Sequence, residues 1–200
     1  MHRLDIWEER YGGPDYVFGT EPNVFLASKE AILPARGRAL AVADGEGRNG
    51  VWLAERGLDV VSLDYSPAGQ SKARALAAAR GVTLTFELAD VTAWEWPLEA
   101  FDLVAVIFTH FGSLERDRMF AGIRRALRPG GLLLLEGYSP KQRELKTGGP
   151  SRPEHFYTRE MLETAFHEFR DVEIREYVTE LSEGTRHAGL SAVIDFAGRK

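Results

Sequence analysis

The residues best placed to do chemistry lie in Gly45-Glu46-Gly47-Arg48-Asn49-Gly50 and at Asp64. Gly45 and Gly47 lack the Cβ that would block an approaching ligand or forbid positive φ. An acid about twenty residues beyond such a turn can accept both hydroxyls of a ribose. Together they form a nucleoside-binding layout. A second group could act on an acceptor: His110, Tyr138, Arg143, Arg186 and His187. For His110 and His187 a structural role competes with a chemical one, whereas His155 and His167 read as surface or helix-packing residues. No two histidines share metal-ligand spacing on one helix, so no metal is predicted. With no cysteine, disulfides, thiolate metal sites and thiol nucleophiles are excluded.

The elements that must position these residues follow from hydrophobic pattern. Short apolar runs at 39–43, 59–64, 83–88, 101–108 and 132–136 alternate with helical patterns, which implies a parallel, doubly wound α/β sheet. Strand 101–108 is nearly all apolar and suits a central position. Ser66-Pro67 caps a helix that Gly81 ends. The pattern also predicts helices over 21–34 and 158–169. The last thirty residues alternate around Glu183-Gly184 as an antiparallel β-hairpin. Residues 138–157 form the longest stretch without periodicity, a functional loop or a disordered one.

The 200 residues suit one domain. The expected division is an N-terminal arm and helix covering the site (1–34), a cofactor-binding core (35–137), a lid loop (138–157), and a helix with the hairpin (158–200). A net charge of −5 and a pI near 5.6 argue against nucleic-acid binding. Arg124, Arg125 and Arg128 read as a solvated helix face. No apolar leader or membrane-length run is visible, so a cytoplasmic location is expected.

Read literally, the turn is a dinucleotide fingerprint. Three features favour S-adenosylmethionine over a dinucleotide. There is no Tyr-x-x-x-Lys pair to polarise a carbonyl, and the chain finishes with a hairpin instead of a sixth parallel strand. Glu46 would also repel a pyrophosphate, whereas ammonium and sulfonium groups tolerate acids.

Several motifs then carry a family resemblance: Trp7-x-x-Arg10-Tyr11, Gly19-Thr20-Glu21-Pro22-Asn23, Gly45-Glu46-Gly47-Arg48-Asn49, Asp64-Tyr65-Ser66, Leu127-Arg128-Pro129-Gly130-Gly131, Lys141-Gln142 and Thr147-Gly148-Gly149-Pro150. The chain resembles class I S-adenosylmethionine-dependent methyltransferases, most of all the small bacterial branch grouped with tellurite-resistance and thiopurine methyltransferases. The resemblance implies a Rossmann-like seven-stranded sheet of order 3-2-1-4-5-7-6 with strand 7 antiparallel. It also implies that Ala43, Gly45 and Gly47 pass the methionine half of the cofactor. Asp64 would bind the ribose, Tyr65 would lie beside the adenine, and Asp90 with Val91 would meet its amino group. Phe108 and Thr109 would face the methionyl group and the methyl.

Glu46, Asn49 and Ser66 complete the candidate cofactor set. The class's usual acid two residues before the first glycine is Ala41 here. Asp44 either replaces that acid at the cofactor ammonium or bonds its own turn. The expected activity is methyl transfer to a small molecule such as a thiol or a selenium or tellurium oxyanion, by a monomer or homodimer. An NAD(P)-binding oxidoreductase and a non-catalytic S-adenosylmethionine-binding module are the alternatives.

Overall fold

The computed structural model describes residues 3–200, with the side chains of Arg3 and Leu4 excepted. Residues 1 and 2 of the expected arm lie outside the described residues. In chain order the helices are α1 (Arg3–Tyr11), α2 (Val24–Ser28), α3 (Arg48–Glu55), α4 (Pro67–Arg80), α5 (Ser113–Ala126), α6 (Gln142–Leu145) and α7 (Arg159–Ala165). The strands are β1 (Arg38–Val42), β2 (Asp59–Asp64), β3 (Thr85–Leu88), β4 (Phe101–Ile107), β5 (Leu127–Tyr138), β6 (Arg170–Glu183) and β7 (His187–Arg199).

The strands form one sheet in the order β3-β2-β1-β4-β5-β7-β6. Neighbours from β3 through β5 run parallel, and β7 is antiparallel to both β5 and β6. This is the order and orientation that the resemblance implied.

Alternation along the strands gives the sheet two apolar faces. Leu40, Val42, Val104 and Val106 pack with Met119, Phe120 and Ile123 of α5 and with Leu162 and Phe166. Ala39, Leu103 and Ala105 pack on the other face with Phe25, Leu26, Trp52, Leu53 and Leu76. Helices on both faces bury the central strands and leave their carboxyl edge as the place for a ligand.

Local signals account for the helix ends nearest that edge. Ser66 Oγ accepts from the Gly69 amide, Pro67 takes the first helical position, and Gly81 closes α4 at φ 68°. Gly47, at φ 88°, starts α3 without a side-chain cap, and a Cβ there would collide with Ala73 of α4. That position admits only glycine without moving a helix.

Several boundaries differ from expectation. The helix expected over 21–34 is split into α2 and a 3-10 turn at Glu30–Ile32, because Asn23 caps a later start. β3 begins at Thr85, and α7 ends at Ala165. β5 starts at Leu127, which pairs with Phe101 of β4, and runs on to Tyr138 because β7 pairs with it from Leu132 through Tyr138, past the apolar run. Residues 138–157 are partly ordered into α6 and a 3-10 turn at Pro153–His155.

Candidate active site

The loop after β1 is shaped by two buried acids. Asp44 accepts from the Gly50 amide at 3.1 Å and from Ser62 Oγ at 2.7 Å, and burial raises its carboxyl above the usual range. A Cβ on Gly50 would strike that carboxyl. Asp44 therefore bonds its own turn and the strand beside it. Asp64 accepts from the Gly45 amide and the Ser66 amide, each at 2.8 Å, which ties the end of β2 to the loop. Burial pushes the Asp64 carboxyl up to about 6. With the Tyr65 amide also contributing, three backbone donors hold this carboxyl, and a carboxylate has about four lone-pair sites.

The N-terminal arm closes one side of this loop. Glu8 of α1 accepts from Ser66 Oγ at 2.5 Å and from the Ala68 amide at 3.2 Å, so Ser66 is occupied in docking the arm. Glu46 is buried and turned toward the arm and α4: it accepts from the Val17 amide at 2.8 Å and pairs with Lys72 Nζ at 2.8 Å. Trp7 and Tyr11 stack at 5.2 Å, with Phe18 edge-on to Tyr11 at 6.5 Å. The Tyr11 hydroxyl sits so near Gly45 that a Cβ there would clash.

Opposite lies a wall built from the end of β4 and the hairpin. His110 has both nitrogens engaged: Nδ1 is 2.8 Å from the His155 carbonyl, to which it donates, and Nε2 accepts from the Tyr138 amide at 3.3 Å. Burial lowers its imidazole to about 4, so it is neutral across the physiological range. His187 packs on Phe108 and Phe18 at ring separations of 4.1 and 4.5 Å. Burial lowers its imidazole as well. Phe108 itself has φ 50°, an uncommon left-handed setting that the surrounding rings must hold in place.

Behind this wall runs a buried polar network. Asn23 Nδ2 donates to Glu136 Oε1 at 2.6 Å and to Glu183 Oε1 at 3.0 Å, while its amide donates to Asn49 Oδ1 at 2.9 Å. Arg48 Nη2 pairs with Glu183 Oε2 at 2.7 Å. Burial alone would raise the Glu183 carboxyl, but His187, Arg48 and the Val24 amide bring it down to about 2. Glu136 faces Asp195 across β5 and β7, and burial and that neighbouring acid push its carboxyl far up.

Between the two walls lies a cavity of about 750 Å³, part of it open to solvent. Of the residues expected to form the site, Ala43, Asp44, Asn49, Asp64, Tyr65, Phe108, Thr109, His110 and His187 line it. Gly45, Glu46, Gly47, Ser66, Asp90, Val91, Tyr138 and Arg143 do not.

The physical reasons differ. Glu46 and Ser66 hold the arm, and Val91 is packed in the core. Asp90 accepts from the Thr92 amide and hydroxyl beside a separate depression. Arg143 is exposed on α6, and Tyr138 stacks behind His110 at 5.6 Å. The lining also includes Trp7, Tyr11, Phe18, Arg48 and Phe111, which were not singled out as site residues from sequence. The aromatic density of the arm was the available signal for the first three.

The lining suits an S-adenosyl group. Asp64 stands where ribose hydroxyls could donate to it, and the acids Asp44 and Asp64 suit a cationic ligand better than a pyrophosphate. Arg48, the cation of the lining, is already paired with Glu183. Its Nη1 is buried without a hydrogen-bond partner.

Comparison with known proteins agrees with this geometry. Residues 39–131 match the family model described as a methyltransferase domain. Over 112 residues the chain is 34% identical to a demethylmenaquinone methyltransferase of Thermus thermophilus, covering 55% of this chain and 51% of that protein. The chain thus spans about half the length of the curated relatives it matches. Solved structures share the fold, two of them as follows. One, described by the conversion of a disulfide bond into a thioacetal group during echinomycin biosynthesis, has a TM-score of 0.80 at 21% identity, covering 100% of this chain and 92% of that one. The other, TehB from Haemophilus influenzae, has a TM-score of 0.71 at 15% identity, covering 98% and 66%. At such identities the likeness concerns the fold alone. The dinucleotide and non-catalytic alternatives find no support among these matches. Residues 39–131 are thus similar to a methyltransferase domain, set in a seven-stranded sheet of order β3-β2-β1-β4-β5-β7-β6.

Proposed function

We propose that the chain transfers a methyl group from S-adenosylmethionine to a small-molecule acceptor carrying a soft nucleophile, such as a thiol or a reduced selenium or tellurium species. The observation that carries this reading is the pairing of Asp64, at the end of β2, with a facing aromatic wall across one cavity. Asp64 would hold the ribose hydroxyls, Tyr65 would lie along the adenine, and Phe108 with Thr109 would border the methionyl end. Bound there, the cofactor supplies an electrophilic methyl group on a sulfonium.

The protein's own part is alignment and exclusion of water. Trp7, Tyr11 and Phe18 seal the arm side, and the Glu46 and Glu8 contacts keep the arm in place. The acceptor has to share this cavity with the cofactor, which favours a small molecule. Demethylmenaquinone methyltransferases among the relatives support the same class of acceptor. Placement in the tellurite-resistance and thiopurine branch rests on the motif resemblance, and the likeness to TehB supports only the shared fold.

Among the described residues no helix is long and apolar enough to cross a membrane. We place the protein in the cytoplasm, acting as a monomer or homodimer without nucleic acid. The test is incubation with methyl-labelled S-adenosylmethionine and separate thiol, phenol, selenite and tellurite acceptors. Label should move into at least one low-molecular-mass product. Cofactor binding with no transfer to any acceptor would instead favour a sensor.

A further inference from the structure

His187 opens β7 and lines the cavity, with Phe18 and Phe108 against its faces and Tyr138 edge-on at 5.9 Å. Its Nδ1 is buried, makes no hydrogen bond and lies 3.9 Å from Glu183 Oε2. Glu183 is not free to turn away. Asn23 Nδ2 and the Val24 amide both bind Oε1 at 3.0 Å, and Arg48 Nη2 binds Oε2 at 2.7 Å. A small ring rotation closes the gap to a hydrogen bond. The Nδ1 proton then meets a fixed carboxylate, and Nε2 keeps a bare lone pair. A carboxylate–imidazole pair of this kind fixes the tautomer and stabilises the imidazolium that forms on proton transfer.

His110 offers the contrast, since both of its nitrogens are bonded within the protein. The ionisable groups facing His187 are Glu183 on β6, Arg48 on α3, Tyr138 on β5 and His110 beyond β4.

We propose that His187, held by Glu183, takes the proton from the acceptor's nucleophilic atom, and that the acceptor is a neutral, weakly acidic thiol or phenol on an apolar body. This rests on the methyl-transfer reading and narrows it. The surroundings of the imidazole are aromatic rings, and Arg48 is already neutralised by Glu183. Nothing there compensates the desolvation of a multiply charged metalloid oxyanion. In the step, the acceptor atom forms its bond to the methyl carbon as the bond from that carbon to the cofactor sulfur breaks, its electron pair staying on sulfur. The acceptor's proton passes to Nε2 and then to solvent. Glu183 is a positioning residue, acting through the ring.

Long-range proton–nitrogen NMR of histidine-labelled protein with S-adenosylhomocysteine bound reads the tautomer directly. At pH 7 the expected result is a neutral His187 with its proton on Nδ1, a preference lost in Glu183→Gln and restored in Glu183→Asp. A proton on Nε2 in the unmodified protein overturns the proposal. In kinetics, His187→Gln should lower kcat about 100-fold for benzyl mercaptan at pH 7. It should largely spare 4-nitrobenzenethiol, which is already a thiolate.

Equal loss for both thiols, or loss for neither, overturns the base assignment. A parallel series of phenols decides between sulfur and oxygen acceptors. Preference for selenite or tellurite over every thiol and phenol, or transfer to no member of either series, overturns the acceptor class. Failure of the unmodified protein to bind S-adenosylhomocysteine sinks the methyl-transfer reading itself, whereas binding with the wrong tautomer sinks only this inference.

Discussion

On the β1–β2 side of the cavity, Asp44 and Asp64 direct their carboxylate oxygens to Gly50, Ser62, Gly45 and Ser66. On the hairpin side, Arg48 Nη1 and His187 Nδ1 are buried with no partner. The first wall is therefore a loop whose shape is fixed by its own acids before any ligand arrives. The second retains unsatisfied donors and acceptors, each costing about 1–3 kcal/mol when left unpaired. For His187 the missing partner is within reach, because Glu183 Oε2 lies 3.9 Å from Nδ1 and a small rotation of the ring completes the bond while leaving Nε2 for the acceptor. The contrast separates residues that shape the site from residues that wait for a substrate.

The sharpest way to break this comparison is Asp64→Asn. Removing the charge weakens the amide contacts to Gly45 and Ser66 along with the ribose contacts. We expect S-adenosylhomocysteine affinity to fall about 100-fold by calorimetry, from a loss on the order of 3 kcal/mol for charged hydrogen bonds. A loss below about threefold would move the ribose elsewhere. The pH dependence comes next. Ribose hydroxyls donate to the ionised carboxylate, whose folded value is raised to about 6 by burial. Affinity should be flat above that pH and weaken as pH falls through it, approaching about tenfold per unit. Affinity that strengthens on acidification contradicts the assignment.

Asp44→Asn tests the turn-bonding role. Unfolding in urea should show a loss of about 1–2 kcal/mol, with S-adenosylhomocysteine affinity changed less than about threefold. Unchanged stability with greatly weakened affinity would give Asp44 back to the cofactor ammonium. The smallest effect is expected for His110→Asn, whose amide can replace the Nδ1 donor to the His155 carbonyl. Because His110 titrates near 4, the pH–rate profile between pH 6 and 8 should keep its shape.

The parallel sheet and its closing hairpin were legible because strands and helices alternate visibly and the hairpin is marked by its own pattern, whereas the strand order came from the family resemblance. The glycine turn and Asp64 were legible because their spacing is local. What was hidden depends on partners far away in the chain. Arg48 and Glu183 are 135 residues apart, and nothing local marks them as a pair. Glu46 sits inside the glycine turn, where a cofactor contact was the natural expectation, yet its partners are amides of the arm. Arg124, Arg125 and Arg128 were expected as a solvated face. Arg125 and Arg128 are exposed and Arg124 is half-buried, and the three also donate to the carbonyls of Ala165 and Trp96 and to the Asp102 carboxylate. Side chains of that length reach partners that periodicity does not register.

The account stands on the first wall being built for an S-adenosyl nucleoside. Calorimetric titration of the unmodified protein at pH 7.5, with S-adenosylhomocysteine and then with NADH, tests this most directly. The account predicts one-to-one binding of S-adenosylhomocysteine and far weaker or no heat from NADH. Tighter binding of NADH, or no heat from S-adenosylhomocysteine at millimolar concentration, would contradict it.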